Sequence, residues 1–191
     1  FDKMGNQLLG WDVGPANALL DMWAQRHLHQ PFDDQGAWAQ TGKVCSQLLT
    51  ALLQDPYFAK KPPKSTGRDY FTEAWLRNHI TQQCPQDVQA TLVALSVQTI
   101  ATALQQQQHG KTFPVYLYGK GVANTYLCQQ LQAQCPDLLL QTTEVLSIPP
   151  EWLEGGLFAW LAYCYDQQLA VDLCTVTGAK KPTRLGALYP I

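Results

Sequence analysis

The sequence predicts an α/β fold that is rich in helix, with a parallel or mixed sheet covered by helices. Three observations predict this class. The second half of the chain alternates short apolar β-type runs with segments of helical periodicity. Long segments of helical periodicity precede that alternation. A length of 191 residues with 46% hydrophobic and 15% charged residues is typical of a single globular domain.

The first half of the chain is predicted to be helical between clear breaks. A helix is expected from about Asn17, a residue type that caps helices, to about His29. A second long helix, capped by Asp33 or Asp34, is expected to end at Asp55, which a proline follows.

A proline- and glycine-rich loop then separates the helices on either side of it. Residues 60–68 contain too much proline and glycine for a helix or a central strand. A short helix with Phe71 and Trp75 follows the loop. Apolar positions at helical spacing then predict a helix over residues 85–107, and Gly110 ends it.

The remaining elements follow in alternation. We predict strands over residues 113–118 and 138–141, and helices over residues 123–134 and 150–167. This order places crossover helices between parallel strands, as in one α/β domain without an internal repeat.

The composition excludes several classes of function. A net charge of −2 and a pI near 6.1 favour neither nucleic acid nor an anionic membrane surface as a partner. No apolar run reaches membrane-spanning length, the longest lying around residues 157–163, and no secretory leader is visible. Six cysteines without a CxxC pair predict reduced thiols in a cytoplasmic protein, with neither disulfides nor a metal site.

The turn at residues 10–17 places a carboxylate between an apolar approach and a helix. Gly14 and Pro15 make a tight turn after Asp12. Turns of this kind carry catalytic groups in many α/β proteins, so Asp12 is a candidate. The alternative is that Asp12 only ties its own turn through an Asx hydrogen bond.

Three further segments could carry chemistry. Residues 62–68 gather two cations and two hydroxyls that could hold a sugar or a carboxylate, although the loop could be a solvated connector. Residues 119–124 join a strand to a helix where backbone can approach a nucleotide, without a dinucleotide or Walker fingerprint. Glu154 follows a proline-initiated helix start, and Gly155-Gly156 beside it suggests close approach of another group.

In this order, these motifs resemble the anhydro-N-acetylmuramic acid kinase family. The resemblance covers essentially the whole chain, and the Pro-Lys-Ser-Thr-Gly-Arg and Asp-Val-Gln-Ala-Thr-Leu runs are its most specific parts. The segments that match lie at residues 12–21, 63–68, 87–92, 119–124, 149–162 and 176–190.

The resemblance implies an actin-like fold of the sugar kinase and Hsp70 type, with two lobes and ATP between them. The implied reaction uses ATP, Mg²⁺ and water to open the anhydro bridge of 1,6-anhydro-N-acetylmuramic acid and to phosphorylate the sugar. The product is N-acetylmuramic acid 6-phosphate, in peptidoglycan recycling. ATP, ADP and the anhydro sugar are the implied partners, and a homodimer is implied.

The resemblance also assigns roles to residues. Asp12 matches the catalytic base and Glu154 matches a second carboxylate that contacts the water. The residues expected to bind the nucleotide are Gly119, Gly121 and Asn124, and no residue is assigned as a metal ligand. The residues expected to contact the sugar are Asn17, Lys64, Ser65, Thr66 and Arg68.

Two departures from the family pattern shape the expectation. Lys120 stands inside the nucleotide turn, where the family has glycine. A phosphate loop of the first lobe is missing from the sequence, as are the opening strands of the second lobe. Residues 1–191 are therefore expected to form a single C-terminal lobe that is inactive alone. The alternatives are an interaction domain that has lost nucleotide binding, or a related sugar kinase with another substrate.

Overall fold

Two short strands and a set of helices make up the described part of the chain, residues 8–108 and 112–189 of the computed structural model. This confirms the predicted helix-rich α/β class. The strands are β1 (Pro114–Leu117) and β2 (Leu139–Thr142). The α-helices are α1 (Asn17–Leu28), α2 (Ala37–Thr41), α3 (Ser46–Leu53), α4 (Pro56–Ala59), α5 (Glu73–Arg77), α6 (Pro85–Gln108), α7 (Thr125–Gln134), α8 (Leu153–Asp166) and α9 (Cys174–Thr177).

The long helix α6 forms the centre of the core. Its side chains at helical spacing, such as Val88, Leu92 and Leu95, are almost completely buried, and α1, α2, α3 and α7 pack around it. Among the described residues, α6 is the one helix long and apolar enough to span a membrane by length and composition. The uninterrupted apolar run around residues 157–163 remains the longest, because polar residues interrupt the apolar positions of α6. Burial of its apolar side chains identifies α6 as a core helix.

The strands form a parallel pair. Pro114 lies opposite Leu139 and Leu117 lies opposite Thr142, and α7 makes the crossover between them. The described residues contain this two-stranded sheet and one isolated antiparallel bridge, between Val171 and Thr183. A wider mixed sheet covered by helices is therefore not present in the described part of the chain.

The second long helix, predicted to end at Asp55, is broken into pieces. A short 3-10 turn at Asp34–Gly36 leads into α2, and α3 begins only after another break. Asp33 is buried, and its two carboxylate oxygens accept the backbone N–H groups of Trp38 (2.8 Å) and Ala39 (2.9 Å). The carboxylate therefore satisfies donors at the start of α2 that have no partner within the helix.

The break between α2 and α3 is imposed by contact with the start of α6. A Cβ atom on Gly42 would lie 2.1 Å from the carbonyl oxygen of Gln86, so only glycine allows this approach. The N–H of Lys43 donates to the Asp87 carboxylate (2.7 Å), and the next segment is held in the same way by Thr91. Helical periodicity runs through this region, but tertiary packing overrides it.

Other boundaries differ locally from the predictions. Ala16, not Asn17, precedes the first helical residue of α1, so the expectation that Asn17 caps this helix was wrong. Phe71 lies outside the short helix α5. Gly110, the predicted end of the long helix, lies outside the described residues. All six cysteines lie in the described part of the chain as free thiols, of which Cys135 and Cys164 are buried.

Candidate functional site

The Asp12 carboxylate is bound by the 63–68 loop. Its Oδ2 accepts hydrogen bonds from Ser65 Oγ (2.8 Å) and from the backbone N–H of Thr66 (2.9 Å). The backbone N–H of Asp12 donates to the carbonyl of Lys64 (3.1 Å). The Asx hydrogen bond within its own turn, the alternative function for Asp12, is not formed. Asp12 as a whole is exposed to solvent.

Two groups that the sequence did not single out complete this cluster. The Tyr57 hydroxyl donates to the carbonyl of Asp12 (2.7 Å), and burial, with the negative charge of Asp12, raises the pKa of Tyr57. The hydroxyl of Thr66 is buried and has no hydrogen-bond partner among the described residues. Asp12 is therefore oriented by hydrogen bonds at its carboxylate, its N–H and its carbonyl. The Thr66 hydroxyl, unpaired among the described residues, belongs to the same loop.

Two predicted sugar contacts of the loop, Lys64 and Arg68, form no ion pair with Asp12 among the described residues. The Lys64 ammonium lies against the carbonyls of Tyr57 (3.3 Å) and Phe58 (3.5 Å), and burial, with the nearby charge of Lys60, lowers its pKa. Arg68 lines a cavity of about 390 Å³ with Asp21 of α1. Burial raises the pKa of Asp21, and Arg68 opposes that shift.

Asn17 lies beside the 119–124 turn. A Cβ atom on Gly121 would lie 2.4 Å from Asn17 Nδ2, so a larger residue at this position would displace the Asn17 amide. Asn17 Oδ1 is buried and has no partner among the described residues. The preceding Ala16 has φ 46°, a conformation unfavourable for residues other than glycine, and Ser96 Oγ holds its carbonyl at 2.9 Å. The strained backbone of Ala16 therefore lies where the start of α1 meets the 119–124 turn.

The 119–124 turn lines a cavity of about 340 Å³ that is shared with α1. Asn124 caps α7, since its Oδ1 accepts the N–H of Leu127 at 3.1 Å. Gly119 has φ 80° and open space on the side where a Cβ would stand. The cavity is lined by Asn17, Asp21, Phe32, Asp33, Gln35, Lys120, Gly121, Ala123 and Asn124.

Glu154 lies in the first turn of α8 and is exposed. It lines a groove of about 960 Å³ that is mostly apolar, together with Tyr118 and Trp152. No described heavy atom outside α8 lies within 4 Å of the Cβ positions of Gly155 and Gly156, so the close approach predicted there is absent from the described structure.

The predicted residues form two groups. Asp12, Ser65 and Thr66 touch one another, and Asn17 touches the 119–124 turn. The N–H of Gly119 donates to the carbonyl of Pro150 (2.9 Å), which joins that turn to the segment before α8. Glu154 lines the groove beside Tyr118 and Trp152, and Asp12 does not line that groove.

The described residues contain no cluster of three or more His, Cys, Asp or Glu side chains that could hold a metal ion. In the cavity beside Gly121, the buried Asn17 oxygen is a hydrogen-bond acceptor without a partner among the described residues, and the exposed Phe32 ring is a flat apolar surface. Such a lining suits a nucleoside.

Comparison with known proteins decides the family. A sequence model described as anhydro-N-acetylmuramic acid kinase matches residues 3–191. This chain belongs to the anhydro-N-acetylmuramic acid kinase family. The resemblance inferred from the ordered motifs is thereby confirmed.

Curated relatives carry the same family name. A kinase of Legionella pneumophila (strain Corby) is 44% identical over 184 residues, which cover 95% of this chain and 50% of the relative. One of Pseudomonas syringae pv. tomato matches with the same identity and coverage. One of Burkholderia lata is 45% identical over 193 residues, with 97% and 50% coverage. The chain spans about half the length of the curated anhydro-N-acetylmuramic acid kinases that it matches.

Within this family member, the structure adds residues that the sequence reasoning did not assign. Asp21 and Phe32 line the cavity at the 119–124 turn, and the Tyr57 hydroxyl donates to the Asp12 carbonyl. The sequence could have pointed to Asp21, because it lies four residues after Asn17 and so on the same helix face. No local sequence pattern points to Tyr57, because its contact with Asp12 joins residues 45 positions apart.

Proposed function

We propose that this chain is the C-terminal lobe of a two-lobed kinase of actin-like fold, a domain assignment that the family membership and the α/β architecture support. The proposed reaction opens the anhydro bridge of 1,6-anhydro-N-acetylmuramic acid with water and transfers a phosphoryl group from ATP to the sugar. Residues 1–191 alone are expected to be inactive, because the proposal places half of the phosphate site in the other lobe.

The observation that carries the proposal is the fixed Asp12 carboxylate. Ser65 and Thr66 bind one of its oxygens, which leaves the other to accept a proton from water. In the proposed reaction the water oxygen bonds to the anomeric carbon while Asp12 takes its proton, and the bond from that carbon to the bridging oxygen breaks. The released oxygen then attacks the γ-phosphorus of ATP, and ADP leaves.

The other residues are proposed to bind and orient the substrates. Glu154 is proposed as the second carboxylate that contacts the water. Its position on α8, apart from Asp12 in the described structure, requires that sugar and water bridge the two groups. The proposed sugar contacts are Asn17, Lys64, Ser65, Thr66 and Arg68.

Nucleotide binding is proposed for Gly119, Gly121 and Asn124. The open space beside Gly119 and the unpaired oxygen of Asn17 support a ligand at this turn. Mg²⁺ would neutralise the phosphate charge that develops during transfer. Because Asn17 packs on Gly121, we propose that it helps to shape the nucleotide cavity in addition to any contact with sugar.

The cytoplasmic location and the homodimer are further parts of this proposal that rest on the resemblance. The interaction domain without nucleotide binding is disfavoured by the family match along the whole chain. A related sugar kinase with another substrate is disfavoured for the same reason, and the substrate assay below tests it.

The test is Asp12→Asn in a protein that contains this chain together with the first lobe. The amide keeps an oxygen for Ser65 and Thr66 but is not a base. We expect the formation of N-acetylmuramic acid 6-phosphate to fall by about 10²- to 10⁴-fold, the usual contribution of a general base. The melting temperature should remain near that of the parent.

Asp166→Asn is the matched control, because Asp166 is exposed at the end of α8 and bonds only to the neighbouring Gln167 among the described residues. A rate for Asp12→Asn close to that of this control would refute the role of Asp12. Phosphorylation of simple hexoses at a comparable rate would refute the proposed substrate.

A further inference from the structure

Asp21 of α1 is a carboxylate that lines two cavities. One is the cavity of about 390 Å³ that Arg68 of the 63–68 loop also lines, which we call the arginine cavity. The other is the cavity of about 340 Å³ beside the 119–124 turn. The Asp21 residue is partly buried. It therefore lies between the loop that binds Asp12 and the turn proposed to bind the nucleotide.

Helix α1 is a firm support for this carboxylate. Leu19, Leu20 and Trp23 are buried in the core, and α1 packs on α6. The carbonyl of Leu20 also accepts a hydrogen bond from Gln89 Nε2 of α6 (3.3 Å). Because the residues on both sides of Asp21 are packed in this way, the core fixes the position of its backbone.

The ion pairs near the arginine cavity leave Asp21 and Arg68 to each other. Among the described residues that line this cavity, the charged ones are Asp21, Arg68 and Glu73. Glu73 forms ion pairs with Arg26 and with Arg77. Neither Asp21 nor Arg68 forms an ion pair with another described residue. Asp21 is therefore the carboxylate of this cavity that remains for Arg68.

The charge of Arg68 acts on Asp21 across the cavity. Burial raises the pKa of Asp21, and the positive charge of Arg68 opposes that rise. Asp69, the next residue along the chain, does not line the arginine cavity. Solvent screens the attraction less at a partly buried carboxylate than between two fully exposed side chains. An arginine on an exposed loop is thus attracted to a carboxylate on a packed helix.

Arg68 is close in sequence to the two groups that bind Asp12. The N–H of Thr66 donates to Asp12 Oδ2 at 2.9 Å, and Ser65 Oγ donates to the same oxygen at 2.8 Å. Only Gly67 separates Arg68 from Thr66. A restraint on Arg68 therefore limits the movement of both donors.

We propose that Asp21 is a positioning residue: by attracting Arg68 it holds the 63–68 loop, and so the Asp12 carboxylate, in a fixed orientation. The inference rests on the proposed function, in which Asp12 is the general base. Asp21 acts through Arg68 and the loop, without contact with the water or the anomeric carbon. Arg68 gains a role in addition to the proposed contact with sugar.

The first test is amide hydrogen exchange at Thr66, in a protein that contains this chain together with the first lobe and without substrates. In Asp21→Asn and in Arg68→Gln, the Thr66 N–H should exchange faster by about 10-fold or more, because its bond to Asp12 opens more often. Glu73→Gln is the matched control, since Glu73 lines the same cavity but has other partners, and it should exchange like the parent.

The second test is steady-state kinetics of sugar phosphorylation by the same variants. Asp21→Asn should lower kcat by about 10-fold or more, because the base is less well placed, and should leave KM for ATP near that of the parent. The double variant Asp21→Asn, Arg68→Gln should be no slower than Arg68→Gln alone, because Asp21 has then lost its partner already. Arg68→Lys keeps the positive charge and should recover part of the kcat that Arg68→Gln loses. Melting temperatures check that every variant is folded.

Three results would overturn the inference. They are unchanged exchange at Thr66 in Asp21→Asn, losses of kcat that multiply in the double variant, and a raised KM for ATP at unchanged kcat. The last result would make Asp21 a direct contact of the nucleotide. Failure of the proposed function is distinguishable, because exchange at Thr66 is measured without turnover, whereas the role of Asp12 is tested by the rate of Asp12→Asn.

Discussion

The buried carboxylate of Asp33 should contribute measurably to stability, and Asp33→Ala tests this. Its oxygens accept the N–H groups of Trp38 and Ala39, and Oδ2 also lies 3.3 Å from Gln89 Nε2. Removal of a carboxylate that accepts hydrogen bonds from the first N–H groups of a helix lowers stability by about 1 kcal/mol. The Ala39 N–H is buried, so leaving it without a partner adds about 2 kcal/mol.

The expected loss in the free energy of unfolding is therefore about 3 kcal/mol. For a domain of this size it lowers the melting temperature by about 6–12 °C. The assay is thermal unfolding followed by circular dichroism. Asp34→Ala is the control, because Asp34 is exposed and its side chain makes no hydrogen bond with the described residues. If the two variants melt within about 2 °C of each other, the assignment of Asp33 as the group that satisfies α2 is wrong.

Two further predictions concern packing and pH. A Cβ at Gly42 would meet backbone atoms of Gln86, so Gly42→Ala should lower the free energy of unfolding, measured by chemical denaturation, by about 1–3 kcal/mol. Gly155→Ala is the control and should lower it by nothing, because a Cβ there meets open space. Equal effects of the two variants would contradict the packing argument. Burial, followed by the charge of Arg26, lowers the pKa of His27. As the pH falls through about 6.5, the unfolded chain therefore binds more protons than the folded chain does. The free energy of unfolding should fall as the pH is lowered from 7.5 to 5.5, and it should fall less in His27→Gln. An unchanged pH dependence in that variant would exclude His27 as its source.

Local patterns in the sequence determined much of the fold. The apolar spacing of α6 predicted its extent from Pro85 to within one residue of its last described position. The alternation of apolar runs and helical segments predicted β1, α7 and β2 in the correct order. These features follow from periodicity within a single element, which neighbouring residues encode. Family membership was also readable, because it depends on the order of motifs along the chain.

Tertiary structure decided what each motif touches. Asp12 was a candidate from its turn, but its bond to Ser65 joins residues 53 positions apart, and no local rule specifies that partner. The same applies to Asn17, which has Gly121 as its neighbour. Packing against Gln86 likewise broke a predicted helix at Gly42.

Residue type and spacing were thus enough to predict the class of fold, the family and the residues worth testing. Which of those residues meet depends on the packing of helices and loops. It joined Asp12 to the 63–68 loop and directed Lys64 and Arg68 elsewhere. Contacts between distant residues depend on how whole elements pack, and a one-dimensional pattern does not specify that packing.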